Sequence, residues 1–100
     1  MLRIALVAAM LATPVLADEE LTKQQSCQYY ADIVDAIRLA RLDRVPEKKL
    51  EETIAASDPE WPESFNKIIP ALAPEIYKMK RRDLKNDGFA DAWMDICLQQ

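Results

Sequence analysis

The fold is decided by residues 22–44, which read TKQQSCQYYADIVDAIRLARLDR. On a helical wheel the apolar side chains of this stretch gather within about 80° of Tyr30, the width of a stripe that faces a core. The members of this stripe are Cys27, Ile33, Val34, Ile37 and Ala40, and the aspartates Asp32, Asp35 and Asp43 lie opposite. The pattern predicts an amphipathic helix from about Thr22 to Arg44.

A second amphipathic pattern closes the chain. It follows Asn86-Asp87-Gly88, the clearest turn signal in the sequence. The apolar residues then recur at helical spacing, and they are Phe89, Ala92, Trp93, Ile96 and Cys97. This pattern predicts a last helix from Phe89 to Leu98, with Cys97 on its buried side.

Shorter segments lie between these two helices. Residues 46–56 carry Leu50 and Ile54 four positions apart, which predicts a helix, and residues 57–62 are expected to connect it to the next. A third helix is predicted from Pro62 to Ile69 and a fourth from Pro74 to Lys85. Proline inside a helix costs about 3 kcal/mol, so we expect Pro70 and Pro74 to mark a break and a restart.

The composition agrees with an all-α chain. The 100 residues include one glycine, and no strand-like alternation extends over more than a few positions. We therefore expect a small bundle of about four to five short helices, formed by a single domain over residues 18–100.

The first 17 residues read as a cleavable export signal. Arg3 precedes an apolar run from Ile4 to Ala12, and small residues end at Ala17. A helix of this apolar length is far too short to anchor in a bilayer. We expect a periplasmic or secreted protein without stable membrane insertion after cleavage.

Two cysteines, Cys27 and Cys97, are the only ones in the chain. In an exported protein they have one intramolecular pairing, and a domain this small commonly needs such a covalent link. A loop of this length stabilises the fold by roughly 4 kcal/mol. The alternative, two free buried thiols, would suit a cytosolic protein better.

Charge and composition restrict the function. Removing Arg3 with the leader leaves 12 basic and 17 acidic side chains, a net charge of −5, which argues against nucleic acid as the main partner. The chain has no histidine, the commonest general base and zinc ligand. We expect no enzyme activity, no metal and no cofactor.

Several side chains are candidates for binding. The basic cluster consists of Lys78, Lys80, Arg81, Arg82 and Lys85. It either contacts an anionic partner or is a solvated helix end. Arg41 points near the middle of the apolar stripe, so either the stripe ends by Ala40, or Arg41 extends to solvent or pairs with a carboxylate such as Asp91 or Asp95. Trp61 is the aromatic residue that we expect to be most exposed.

Acidic residues offer two weaker patterns. Asp83, Asp87, Gly88 and Asp91 resemble part of an EF-hand loop, but Lys85 and Met94 occupy two positions where oxygen ligands are required. Asp32 with Asp35, and Asp91 with Asp95, share helix faces, as catalytic carboxylates can. We interpret these sets as a capped turn and as solvated helix faces.

The spacing Cys27 … Ala40-Arg41 … Tyr77 … Trp93-x-x-x-Cys97 resembles that of uncharacterised small periplasmic proteins of proteobacteria. The resemblance implies a disulfide-tied helical fold and no known activity. The chain is also similar, in size and compartment, to acid-stress chaperones of the HdeA type.

These observations favour a non-catalytic periplasmic protein that binds another envelope protein, as an inhibitor, immunity factor or accessory subunit. One alternative is an acid-stress chaperone, in which neutralised carboxylates and remaining cations would loosen the bundle at low pH. The other is a protein that binds an envelope polymer or ligand through the basic cluster. The sequence leaves the oligomeric state open.

Overall fold

A computed structural model describes residues 21–86 and 88–100 of the chain. Over these ranges the chain forms five α-helices and two 3-10 turns, with no β-strand, so the predicted all-α class is confirmed. The turns Glu47–Lys49 and Glu63–Lys67 run directly into the second and third helices. In chain order the helices are α1 (Lys23–Leu42), α2 (Leu50–Ala56), α3 (Ile68–Tyr77), α4 (Arg81–Leu84) and α5 (Phe89–Leu98).

Helix α1 begins at a capping box. The Thr22 hydroxyl accepts a hydrogen bond from the Gln25 main-chain N–H at 3.0 Å, and the Thr22 main-chain N–H donates to the Gln25 side-chain oxygen at 3.0 Å. The two bonds satisfy donors at the start of the helix that have no partner within it. The helix therefore starts within one residue of the predicted position.

Helix α1 ends at Leu42, two residues before the predicted end, in a left-handed turn. Arg44 has a φ of 65°. Its N–H donates to the Arg41 carbonyl at 3.1 Å, and the Val45 N–H donates to the Ala40 carbonyl at 3.0 Å, the bonding pattern of a Schellman cap. A left-handed residue other than glycine costs about 1–2 kcal/mol, so this cap stores backbone strain at Arg44.

The core lies between α1 and the shorter helices α2, α3 and α4. The side chains predicted for the inward stripe of α1 are buried, except Tyr30, which is 36% exposed. Leu50 and Ile54 of α2 are buried, as predicted. Among the described residues, the connected core draws no fully buried side chain from α5; its members are Ile33, Val34, Ile37, Ala40, Leu50, Ile54, Ile69, Ala73, Ile76 and Leu84.

Helix α3 runs through both prolines that were predicted to interrupt it. Pro70 is its third residue, in the first turn, where the missing N–H would have no acceptor within the helix. Pro74 lies in the interior and removes the bond to the Pro70 carbonyl. Both prolines are exposed, so water can hydrate that carbonyl. The predicted break between Ile69 and Pro74 is therefore wrong.

The helical path breaks further along the chain, at Lys80. Its backbone is extended, with a ψ of 142°, so the predicted helix from Pro74 to Lys85 is divided between α3 and the single turn α4. The buried residues of α3, Ile69, Ala73 and Ile76, follow helical spacing across both prolines. The inward apolar pattern, more than the prolines, marks the extent of this helix.

Arg38 fixes the end of α4 against α1. Its Nη1 donates to the Leu84 carbonyl at 2.7 Å, while its Nη2 lies 2.9 Å from an Asp35 carboxylate oxygen. The Leu84 side chain is fully buried. Leu84 is therefore held by both its main chain and its side chain, immediately before the connection to α5.

Helix α5 has the predicted bounds and packs against α1. The Cys27–Cys97 disulfide joins the two helices, with 5.6 Å between the Cα atoms, which confirms the predicted bond. No residue of α5 is fully buried; Phe89 and Trp93 are partly buried against the core. Helix α5 therefore covers one edge of the core and adds little to its interior.

The predicted leader, residues 1–17, lies outside the described residues, as does Asp87. Within the described ranges, no helix combines the length and the apolar character that a bilayer crossing requires. The predicted boundary at residue 18 stays a prediction.

Candidate binding surfaces

An open groove lies beside the disulfide, between the first turns of α1 and the last turns of α5. Its volume is about 570 Å³. Tyr30 on α1 and Ile96 on α5 are 36% and 54% exposed. We call this surface the disulfide groove, and its walls are formed mainly by Ser26, Cys27, Tyr30, Trp93, Ile96 and Cys97.

Few polar side chains line the disulfide groove. Lys23 and Gln100 lie at one end, where the Lys23 ammonium donates a hydrogen bond to the Gln100 main-chain oxygen. The Ser26 hydroxyl is the other aliphatic polar group of the lining. The lining contains no histidine and no side-chain carboxylate. The groove is suited to apolar contact.

The groove lies along the first turns of α1, which α5 contacts but the connected core of α1 to α4 does not reach. Val34 and Ile37 lie on the same side of α1 as Tyr30 and have no exposed surface, whereas Tyr30 is partly open. The α1 residues of the connected core begin at Ile33. Over the preceding turns, Phe65 approaches edge-on, 5.3 Å from the Tyr29 ring and 6.4 Å from the Tyr30 ring. One side of Tyr30 is left uncovered.

The structure divides the predicted basic cluster into one structural arginine and four exposed cations. Arg81 Nη1 and Nη2 donate to the carbonyls of Arg41 and Leu42, at 3.2 and 3.0 Å. A cation is stabilising at this position, the C-terminal end of α1. The four exposed members are Lys78, Lys80, Arg82 and Lys85. Arg81 is therefore not available as a free binding residue.

The exposed cations make little contact with carboxylates. Lys78 Nζ lies 4.0 Å from a Glu75 oxygen, and both side chains are more than 70% exposed, so this pair adds little to stability. No other ion pair in the described residues involves these four side chains. Their positive charge is directed to solvent.

Arg41 contacts an aromatic ring and not a carboxylate. Its guanidinium carbon lies 5.8 Å from the centre of the Tyr77 ring, within the range of a cation–π contact. Within the described residues no carboxylate reaches salt-bridge distance, so the alternative in which Arg41 pairs with Asp91 or Asp95 is wrong. The buried Arg41 Nε has no hydrogen-bond partner there. A wheel of α1 could not show this, because Tyr77 belongs to α3.

Tyr77 is held in place by its hydroxyl. The hydroxyl donates to the Val45 carbonyl at 2.7 Å, just beyond the end of α1. Burial raises the pKa of Tyr77, the nearby Glu47 carboxylate raises it further, and the Arg41 cation opposes both effects. The contact is best explained as a structural link between α3 and the end of α1.

Trp61 is less exposed than the sequence suggested. Its ring is partly buried against the core, and its Nε1–H donates to the Asn66 side-chain oxygen at 2.8 Å. A tryptophan whose N–H is satisfied inside the protein acts as a packing residue. The prediction that Trp61 is the most exposed aromatic is therefore wrong, since Tyr30 is more exposed.

The acidic patterns form no cation site in the part of the chain that the structure describes. No group of three metal-ligating side chains occurs there, although Asp87 lies outside those residues. Asp35 pairs with Arg38, while Asp32 accepts a hydrogen bond from Gln28 at 2.9 Å. Asp32 and Asp35 thus have separate partners.

A second apolar groove, between α1 and α2, provides a comparison. Its volume is about 540 Å³, and Leu39 is its most exposed large apolar side chain, at 50%. It contains no tyrosine or tryptophan. Leu39 is therefore about as exposed as Ile96, but no aromatic side chain lines the groove around it.

The chain matches no family model, no curated protein and no solved structure. We therefore infer function from the surfaces and from the features that indicate export. Of the residues proposed from the sequence, the two cysteines lie in the disulfide groove, whereas the basic cluster, Arg41 and Trp61 do not line it.

Sequence reasoning missed Tyr30 and Ile96 as surface residues. Both fall on the apolar sides of their helices, so helical spacing assigns them to the core. The one indication in the sequence is helix length. The apolar stripe of α1 is longer than any one of the shorter helices α2, α3 and α4.

Proposed function

We propose that this protein is a non-catalytic interaction protein of the bacterial cell envelope that binds a protein partner through the disulfide groove. The observation that carries the proposal is the exposed apolar surface of Tyr30, Trp93 and Ile96 around the disulfide. Tyrosine and tryptophan are enriched among the residues that contribute most to protein interfaces. Full burial of a large apolar side chain gains about 1.5–3 kcal/mol, so a partner that covers this surface gains free energy.

The charges around α5 specify the partner more closely. Asp91 and Asp95 are exposed on α5, and neither forms an ion pair within the described residues. Residues 86–100 contain three aspartates and no lysine or arginine. Both aspartates lie about 160° from Trp93 around α5, on the side opposite the groove, and the one charged side chain of the lining is Lys23. A partner that places apolar side chains in the groove and a carboxylate beside Lys23 would be complementary to this surface.

The cell-envelope assignment is supported by two features. The predicted leader directs export, and a disulfide persists outside the cytoplasm. A role as inhibitor, immunity factor or accessory subunit fits a small disulfide-bonded domain of this kind. The proposal involves no cofactor, no metal and no nucleic acid.

Site-specific photo-crosslinking in producing cells tests the proposal. We would place p-benzoylphenylalanine in place of Ile96 and, as the matched control, in place of Leu39, which is equally exposed. We expect a discrete crosslinked product with another envelope protein from position 96 and none from position 39. Ile96→Asp should remove partner binding while leaving the melting temperature within a few degrees, because the side chain is half exposed.

Three results would contradict the proposal. Crosslinks of equal yield from both positions would show a nonspecific surface. A product of twice the chain mass would mean that a second copy occupies the groove. Absence of any product from position 96 would remove the groove as the interaction face.

A second candidate function is binding of an anionic envelope polymer through the exposed cations. The observation that favours it is the set Lys80, Arg82 and Lys85, which are exposed and form no ion pair in the described residues. We would replace these three with serine and keep Arg81, because Arg81 holds the end of α1. Salt-sensitive retention on immobilised dextran sulfate should be lost in the triple variant. Unchanged retention would reject this function.

A further inference from the structure

We infer that the disulfide is a redox-controlled latch: its reduction by a dithiol releases α5 from a core that remains closed, and so removes one wall of the disulfide groove. The inference rests on the proposed function, since it names the regulation of that same site. The claim is that the bond holds α5 in place and that the core does not depend on it.

The first step is that the core is complete without α5. The ten connected buried side chains come from α1, α2, α3 and α4 within the described residues. Leu84, the last of them, is anchored by the hydrogen bond from Arg38 to its carbonyl. Removal of α5 would therefore expose the edge of the core without removing a buried member.

The second step is that α5 is held by its packing along α1 and by the disulfide, without polar side-chain contacts. Phe89 and Trp93 are partly buried, and none of the α5 side chains forms a hydrogen bond or ion pair within the described residues. Gly88, at the N-cap, provides no side-chain cap. A ten-residue helix is not stable alone in water, so α5 depends on being held against α1.

The third step concerns the short tether that the bond creates. With Leu84 fixed in the core and Cys97 bonded to α1, α5 is restrained at both ends over 13 residue positions. In the chain-entropy relation, closing a loop of this length favours the docked state by a factor of about 100. Reduction removes that factor and frees the C-terminal end of α5.

The exchange chemistry starts at the more accessible sulfur. Cys27 is 2% exposed, whereas Cys97 is partly exposed. A thiolate of the dithiol attacks Cys97 Sγ, forms a mixed disulfide and displaces the Cys27 thiolate. The second thiol of the reductant then attacks the mixed disulfide and displaces the Cys97 thiolate. The reductant is left with an internal disulfide. Two electrons pass to the protein, and the two protons of the dithiol end on the cysteines.

Release of α5 would dismantle the groove. Trp93, Ile96 and Cys97 form its α5 side and would leave with the helix. Tyr30 would remain on α1 without the opposite wall. Oxidised protein therefore has the binding site, and reduced protein does not.

Hydrogen exchange tests the latch without requiring the partner. Amide exchange would be measured on the mature chain in its oxidised form, after reduction and alkylation, and in the Cys27→Ser/Cys97→Ser variant. In the two forms without the bond, we expect α5 amides to exchange with protection factors below about 10, while amides of Ile33–Ile37 remain at least about tenfold better protected. Helical circular dichroism should fall by about a fifth, the share of α-helical residues in α5.

Two outcomes would overturn the latch. One is equal protection in α5 and in the α1 centre, which would make α5 part of a single cooperative unit. The other is complete loss of helical signal on reduction. Crosslinking from position 96 in oxidised protein separates the two proposals: a partner crosslink with no release of α5 rejects only the latch, whereas release of α5 without a crosslink rejects only the proposed partner site.

Discussion

Cys27 and Cys97 connect a buried position to a helix that has no fully buried residue. Cys27 is 2% exposed on α1, and Cys97 lies 70 residues later on α5, with 5.6 Å between their Cα atoms. The covalent bond thus reinforces a helix that packs along α1 without adding a fully buried residue. The same two residues line the disulfide groove, beside Tyr30 and Trp93.

Removal of the bond should destabilise the whole domain. For a loop of 70 residues, chain entropy gives a loss of about 4 kcal/mol, and each kcal/mol shifts the melting temperature of a small domain by about 4–8 °C. Cys27→Ser or Cys97→Ser should therefore lower the melting temperature by more than about 10 °C in thermal circular dichroism. The wild-type protein with reductant should show the same lowered melting temperature, and reductant should not change the melting temperatures of the variants. A shift of a degree or two would show that the bond contributes nothing.

Arg44→Gly should stabilise the protein. Arg44 holds a left-handed backbone at φ 65°, and glycine adopts this conformation without strain, although it also has a more flexible unfolded state. The expected net gain is about 0.5–1 kcal/mol in urea unfolding. Arg44→Ala keeps the Cβ atom and is the matched control, with an expected change within about 0.5 kcal/mol. Equal effects of the two substitutions would mean that the strain is not relieved.

Two adjacent arginines should differ in their effect on stability. Arg81 donates to two carbonyls at the end of α1, whereas Arg82 is exposed. Arg81→Ala should cost about 1–2 kcal/mol, as loss of charged hydrogen bonds does. Arg82→Ala should change the free energy of unfolding by less than about 0.5 kcal/mol. Similar losses at both positions would contradict the structural role of Arg81.

The two prolines of α3 should also behave differently. Pro74→Ala restores an N–H that can bond to the Pro70 carbonyl, so unfolding should require about 1–2 kcal/mol more. Pro70→Ala restores an N–H in the first turn, where no helical acceptor exists, and loosens the unfolded chain. It should be neutral or destabilising by up to about 1 kcal/mol. A larger gain at Pro70 than at Pro74 in urea unfolding would oppose this account.

Helices α1 and α5 were predictable because local signals mark their ends. A threonine cap starts α1, a turn containing Gly88 precedes α5, and both helices have a clear apolar side. The bounds of α5 agree with the sequence pattern. The disulfide was predictable because only two cysteines exist in the chain.

The path of α3 and the partner of Arg41 were not predictable in this way. The cost of a proline depends on whether water can hydrate the carbonyl that it frees, and the sequence does not show that Pro70 and Pro74 are exposed. The partner of Arg41 depends on which residue of α3 faces α1, and this proved to be Tyr77. Both features depend on tertiary packing.

The candidate site shows the same limit. Apolar spacing places Tyr30 and Ile96 in a core, yet their exposure depends on how far neighbouring helices extend along α1. The sequence identified the cysteines of the disulfide groove but not its aromatic wall. Arg81 was predicted as a binding residue, but it donates a hydrogen bond to the Arg41 carbonyl at the end of α1. This contact joins segments that are distant in the sequence.

Intact mass of the chain recovered from the producing cell tests the central claim most directly, namely that an exported helical domain is closed by one disulfide between α1 and α5. We expect the mass of residues 18–100 less two hydrogens, no alkylation before reduction, and two alkyl groups after it. A chain that retains residues 1–17, or whose two cysteines are alkylated without a reductant, would contradict the account.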